Sequence, residues 1–556
     1  MHPCPPRSGP PAPIRHRRAV FALGLALAAA ALARPAGAAP PAPLSQQPID
    51  GAQRIARWVR PRLDFGSAAQ ARRALQAGIE LLTPVGSAVP GVLRAAGASV
   101  EFQPALPLAD CSVYTLRVGA AAGAWQSGFR TRCSHWSHPR QIDDRRTARR
   151  PGYGADDVQL AASRGGGALA AWVQGDGRHS AIVSSRLQAD TGSWLAPRIV
   201  DRRGGGDAEL PALATLADGS VLAAWVQQAR GHDQLLARRL GSAAHRVWRL
   251  DRAGAAAGPS TVRLAGDAAG NAVAVWQQAR AGHGAVWAAH WSAASRSWGP
   301  ARLLEAWPGG DYAPVVAAGG DQRFVVAWER GPAGRESVVA SRWTQRGWSA
   351  PRRLSAPGVR ATRPLLALAD EGRVAAAWMQ GRGAGRRLAL RRMRWPHWAG
   401  STRVVQARGL RGPAVAAALR FDPAGNLAVA WEQQATGPAG YRIEAARWLA
   451  RSARPAGITR LDPAGLGSAG NPALVADPAG NLVCAWYQQG PQGLQVLAAR
   501  FDASLARWQP ARLLSDPRQT VQASFPVLAV DAAGSVTAAW QQYNNWRDIV
   551  VASRLR

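Results

Sequence analysis

The chain has 556 residues and a formal charge of +34, from 68 Arg and Lys against 34 Asp and Glu, and every one of the 68 is Arg. An apolar fraction of 47% excludes a wholly disordered chain. The residues after 38 hold three Cys with no Cys-x-x-Cys, and no His-Glu-x-x-His occurs, so nothing supports a thiolate zinc site or metalloprotease chemistry. No metal and no cofactor is expected. The Gly runs at 165–167 and 204–206 read as loops, not phosphate cradles.

Residues 1–38 read as a signal peptide. Arg15-His16-Arg17-Arg18 precedes an apolar run from Ala19 to Ala33, and Ala36-Gly37-Ala38 is a small-x-small cleavage site, with the cut expected after Ala38. The run is too short to span a bilayer and no later segment is long enough. The mature protein is therefore expected to be periplasmic or secreted, without a membrane anchor, and monomeric. Processing leaves 63 Arg against 34 acids, a net +29. That charge suits an anionic polymer, although the Arg are spread along the chain and not clustered.

A linker at 39–54 leads to a unit at 55–133. Its apolar alternation in Val100-Glu-Phe102-Gln-Pro104 and Tyr114-Thr-Leu-Arg-Val118 predicts half-buried antiparallel strands. The order Pro61-Arg-Leu-Asp-Phe65, Val100-Glu-Phe102, Pro107-Leu108, Tyr114-Thr-Leu and Phe129-Arg-Thr131 resembles bacterial Ig-like domains of the Big/surface-layer kind. That resemblance implies a small β-sandwich used as a spacer or adhesive module. An exported chain favours a disulfide between Cys111 and Cys133. If the hairpin around Gly119–Ser127 pairs residues whose numbers sum to 244, these two Cys lie opposite each other. Cys484 is expected to be a buried thiol.

Residues 134–556 repeat. The kernel Gly-x-x-x-x-Ala-Trp-x-Gln recurs with Trp at 172, 225, 276, 328, 378, 431, 486 and 540, spaced by 50 to 55 residues. Each copy reads as four strands, here a to d. Strand a is a short apolar run, often opened by Pro, as at Pro211, Pro314, Pro364 and Pro526. A turn such as Asp267-Ala-Ala-Gly270-Asn271 follows. Strand b carries the Ala-Trp and is apolar on both faces. Strand c follows a polar loop, and strand d starts near a Trp. Such a unit predicts an all-β fold, an eight-bladed β-propeller. Ala or Val275 before each kernel Trp suggests that Trp packs on a small residue across the blade interface. The chain ends on strand c, and Trp136-Ser-His-Pro139-Arg-Gln-Ile142 supplies the missing strand d, closing the ring from the N-terminal side.

Trp in strand d after a tight c–d turn, as in Asp190-Thr-Gly192-Ser-Trp194 and Thr344-Gln-Arg-Gly347-Trp348, resembles the sialidase-like (BNR-repeat) propellers in degenerate form. Their signature box is structural. The resemblance implies one face, formed by the d–a and b–c loops, as the usual ligand surface. Gln-Gln pairs at the start of b–c loops, such as Gln227-Gln228 and Gln541-Gln542, either satisfy the blade or form an amide ring for sugar hydroxyls. Residues peculiar to one blade are the better ligand candidates: Tyr543, Asn544, Trp546 and Arg547 in the eighth, Trp307, Asp311, Tyr312 and Glu329 in the fourth, and Glu209 in the second. Aromatic rings beside amides and carboxylates suit carbohydrate. The reading is an exported binding or scaffold protein recognising a glycan or protein. The alternative is a sialidase-like glycoside hydrolase, for which no catalytic residues are assigned.

Overall fold

The computed structural model describes residues 40–556 apart from 58, 106–107, 110, 120–123, 134, 144–153, 164–165, 176, 202–204, 230, 242–245, 252–257, 321, 345, 408, 411, 436–439, 517–520 and 556. The expected signal peptide and its cleavage site lie outside the described residues. Two four-stranded sheets build the N-terminal unit. One contains Arg62–Asp64 and Ser99–Pro104, the other Ile79–Leu82, Val113–Val118 and Trp125–Thr131. Leu63, Val100 and Phe102 from the first meet Leu81, Leu116 and Phe129 from the second in one buried cluster, as alternating strands of a two-layer sandwich require. A helix, Ala68–Ala77, capped by the Ser67 hydroxyl, adds Ala71 and Ala74 to that cluster.

Cys111 and Cys133 are bonded, with Cα atoms 4.0 Å apart. The hairpin register differs from the sequence expectation. Tyr114 pairs with Phe129, a sum of 243, and the Cys111 N–H donates to the Arg132 carbonyl. The bond therefore joins the chain beyond the last ladder pair, where Cys111 takes a left-handed φ of 48°. Cys484 is a buried free thiol whose pKa burial raises.

Each of the first six repeats forms its own sheet in up-and-down order, and the seventh and eighth share one sheet. The first strand of each repeat packs beside that of the next. The last, Val521–Val530, packs on the first, Ala155–Ala162. The chain thus closes a ring of sheets, a β-propeller. Arg140–Gln141 pairs with Val551–Ala552 as the outer strand of the final sheet.

The kernel explains the packing. Trp225 shares a buried cluster with Ala171, the residue before Trp172. Trp276 does so with Ala224, Trp328 with Val275, Trp378 with Ala327 and Trp431 with Ala377. Trp486 with Ala430, Trp540 with Ala485, and Trp172 with Ala539 complete the circuit. An indole fits only because the facing side chain is small. The Asp-x-x-Gly-Asn turns are ties as well as turns. Asp267 accepts the Asn271 N–H and amide, and Asn271 Oδ1 accepts the Ala293 N–H of the c–d turn. Asn426 and Asn481 repeat this with Ala450 and Ala503.

The sandwich is docked on the propeller. Arg57 donates to Ser535 Oγ and the Ala533 carbonyl, and Arg130 donates to Asp502 and Ser504. Ala479 of the seventh repeat sits within the sandwich core.

Candidate functional site

The kernel Gln serves the blade. Indole Nε1 of Trp172, Trp225, Trp276, Trp378, Trp431, Trp486 and Trp540 donates to the Gln two residues on, at 3.1–3.3 Å. A buried indole N–H needs such an acceptor. The oxygens of these amides are turned to the kernel Trp.

In the fourth repeat Arg330 replaces that Gln. Trp328 Nε1 donates instead to Asp311 Oδ1 and Glu305 Oε2, and Arg330 pairs with Glu305 and lies 4.8 Å over the Trp307 ring. Asp311 is fully buried and also accepts the Trp307 N–H. Burial raises its pKa to about 6, against the pull of that N–H. Asp311 therefore supports the blade. Tyr312 and Glu329 are cross-strand partners. Tyr312 donates to the Gly309 carbonyl, however, while Glu329 accepts the Arg363 N–H at 2.7 Å. Next to them, Glu336 accepts from Arg360 and from the Gly334 N–H. Chiefly through Arg360, its pKa falls from the ordinary 4.5 to about 2. A lowered carboxylate stabilises the fold above its unfolded pKa, and that stability is lost as pH falls toward the folded one. Glu336→Gln should therefore melt below wild type at pH 7, with the two melting curves converging as pH drops from 4.5 toward 2; a pH-independent gap would contradict the pairing.

In the eighth repeat Asn544 Oδ1 accepts the N–H groups of Trp546 and Arg547, so Asn544 shapes its own turn. Arg547 is not a surface residue. It forms a buried ion pair with Asp143 at 2.5 Å. Tyr543 and Trp546 remain exposed, at 40% and 59%.

The open cleft on this face is at the mouth of the ring, with a volume of about 640 Å³. It is lined by Asp156, Asp157, Gln159, Ser180, Glu209, Leu210, Asn471, Phe525 and Gln541, among others. A bulge in strand a builds it. In every repeat the a–b register slips near the start of strand a, as between Glu209 and Ala212 or Ser524 and Val527. Leu210, Ala313, Arg363, Asn471 and Phe525 have φ of 48–56° there, each just before a Pro. Pro has no N–H, so a bulge at that point forfeits no ladder bond. Strand a thus begins before its Pro, not at it. Four bulge residues, Asp157, Leu210, Asn471 and Phe525, line the cleft. Asn471 is held by its N–H donating to Glu432, and the Phe525 ring meets Tyr487 edge-on at 6.2 Å. Asp156 is raised by burial and by Asp157 and Asp548, and Asp157 by burial.

Of the ligand candidates read from sequence, Glu209 lines this cleft. Tyr543 ends the kernel strand opposite Asp548, and Trp546 stands on the loop between them. Trp307, Asp311, Tyr312 and Glu329 belong to the fourth repeat and do not line it. Asp156, Asp157, Asn471 and Phe525 were missed, and Gln541 was read only as one member of a Gln-Gln pair. Two positions carried a signal for most of them: the residue before the strand-a Pro and the residue after the kernel Trp, both variable within an otherwise regular repeat. Among the described residues no group of three or more His, Cys, Asp or Glu could hold a metal ion, and no helix is long and apolar enough to cross a membrane.

No protein family matches the sequence, and no curated protein does. Solved structures that match this chain include a protein of unknown function from Dyadobacter fermentans, at 12% identity and a TM-score of 0.38, covering 76% of this chain and 98% of that one. An α-L-arabinanase from Penicillium chrysogenum, complexed with arabinobiose, matches at 11% identity and a TM-score of 0.34, covering 54% and 94%. An intramolecular trans-sialidase from Ruminococcus gnavus matches at 8% identity and a TM-score of 0.32, covering 74% and 96%. Likeness at this level transfers no residue and no activity to this chain.

Proposed function

We propose that this chain is an exported glycan-binding protein: an eight-bladed propeller at 134–556, closed by its N-terminal strand and carrying an Ig-like sandwich at 55–133. Export rests on the signal pattern ending at Ala38. The blade count rests on the eight kernel Trp, each seated on the small residue of its neighbour. The observation that carries the binding reading is the mouth cleft. Its Phe525 ring is 56% exposed and shares the cleft with the amides of Asn471 and Gln541 and the carboxylates of Asp156, Asp157 and Glu209. An aromatic face beside convergent polar groups is the chemistry that holds a sugar. Tyr543 and Trp546 would extend that platform.

A glycan array read with wild type, Phe525→Ala and Glu209→Gln tests it. Saccharide binding by wild type that weakens about tenfold in Phe525→Ala is the expected result; no binding to any saccharide would refute it. The raised carboxylates Asp156 and Asp157 favour one other reading, a sialidase-like glycoside hydrolase. A fluorogenic glycoside panel separates the two. Turnover abolished by Asp157→Asn or Glu209→Gln would establish the enzyme.

A further inference from the structure

A second cleft, of about 580 Å³, opens where the sandwich and the closing strand meet the outer edge of the seventh repeat. One wall carries Arg500, Arg507, Gln509 and Arg512; the facing wall carries the Cys111–Cys133 bond, His135 and Trp136. No carboxylate is among its described lining residues. Arg500 marks the inner end, donating to the Cys111 carbonyl at 3.5 Å and lying near Asp477 and Asp502. Its charge is therefore largely answered. Arg507 and Arg512 are exposed, at Arg507–Trp508 and Arg512–Leu513 on the outer edge of the sheet.

We propose that this cleft binds a sulfated saccharide, with the Arg507 and Arg512 guanidinium groups on its sulfate groups and half-buried Trp136 against a sugar ring. Guanidinium forks match the oxygens of such groups bidentately. The volume is in the range of small-molecule sites. Arg302 and Arg352 sit on the outer strands of the third and fourth repeats and are also exposed, but they do not line this cleft. Here the sandwich and the closing strand supply a second wall. The site is distinct from the mouth cleft and does not depend on the function proposed for it.

The test is titration calorimetry on the full-length mature protein at about 150 mM salt. The probes are a heparin-derived sulfated tetrasaccharide, its desulfated counterpart and sodium sulfate. Arg507→Ala/Arg512→Ala is compared with Arg302→Ala/Arg352→Ala, which removes the same charge. The sulfated tetrasaccharide should bind wild type, lose about tenfold in the first variant and stay within about threefold in the second. The desulfated sugar and free sulfate should bind far more weakly. Absence of binding to wild type, equal losses in the two variants, or equal affinity for the desulfated sugar or for sulfate would each overturn the proposal. Equal losses would mean that overall charge, not a site, holds the ligand.

Discussion

Asp143→Ala should be among the most damaging single changes in the ring. Asp143 and Arg547 are 0% and 2% exposed at their side chains, and Asp143 Oδ1 also accepts the Val550 N–H. Removing one partner of a buried pair leaves the other charge desolvated, at a cost of about 3–5 kcal/mol. The location directs where that cost falls. Asp143 follows the two-residue ladder of Arg140–Gln141 on Val551–Ala552, which is supported by the Ser553 hydroxyl donating to the Ser137 carbonyl. Losing the pair should free that strand and expose the edge of Asp548–Leu555, a template for association. Hydrogen exchange should show protection lost first at 548–555, and size-exclusion chromatography should show concentration-dependent association. Arg353→Ala, an exposed change on another outer strand, should stay within about 0.5 kcal/mol. Unchanged exchange in Asp143→Ala would mean that the ring is held shut elsewhere.

The second large effect lies between the sheets. Trp276→Ala removes a fully buried indole and should cost about 3–5 kcal/mol, with Gln278 losing the donor it now accepts from. The reciprocal change is more telling. Ala224→Leu adds apolar volume to a position already full of Trp276, so it should destabilise by about 1–3 kcal/mol even though Leu is the more hydrophobic residue. Combining Ala224→Leu with Trp276→Phe should recover part of that loss, because the added and removed volumes face each other. Urea unfolding followed by Trp fluorescence measures all three. A neutral Ala224→Leu would show that the Trp does not seat on its neighbour's small residue.

Periodicity made the propeller legible. A kernel recurring every 50 to 55 residues can bury both faces of strand b only by stacking copies, and an Ala or Val before each Trp already named the surface it stacks on. The chain's ending on strand c, with a strand-d pattern waiting before the first repeat, likewise pointed to where the ring closes. These are local or repeating features, and they survive in one dimension. Tertiary structure decided what repetition cannot encode. The hairpin register at Cys111 and Cys133 was off by one residue, because the left-handed turn at Cys111 lies outside the ladder. Arg547 and Asp311 looked like ligand residues because each was peculiar to one repeat. In the fold their distinctness compensates for something missing: Arg547 answers Asp143 across the closure, and Asp311 takes the place of an absent kernel Gln. The mouth cleft depends on strand-a bulges that turn Asp157, Asn471 and Phe525 into one opening from separate repeats. Asp157 lies more than 300 positions before Asn471 and Phe525 in the chain, and only ring closure makes it their neighbour.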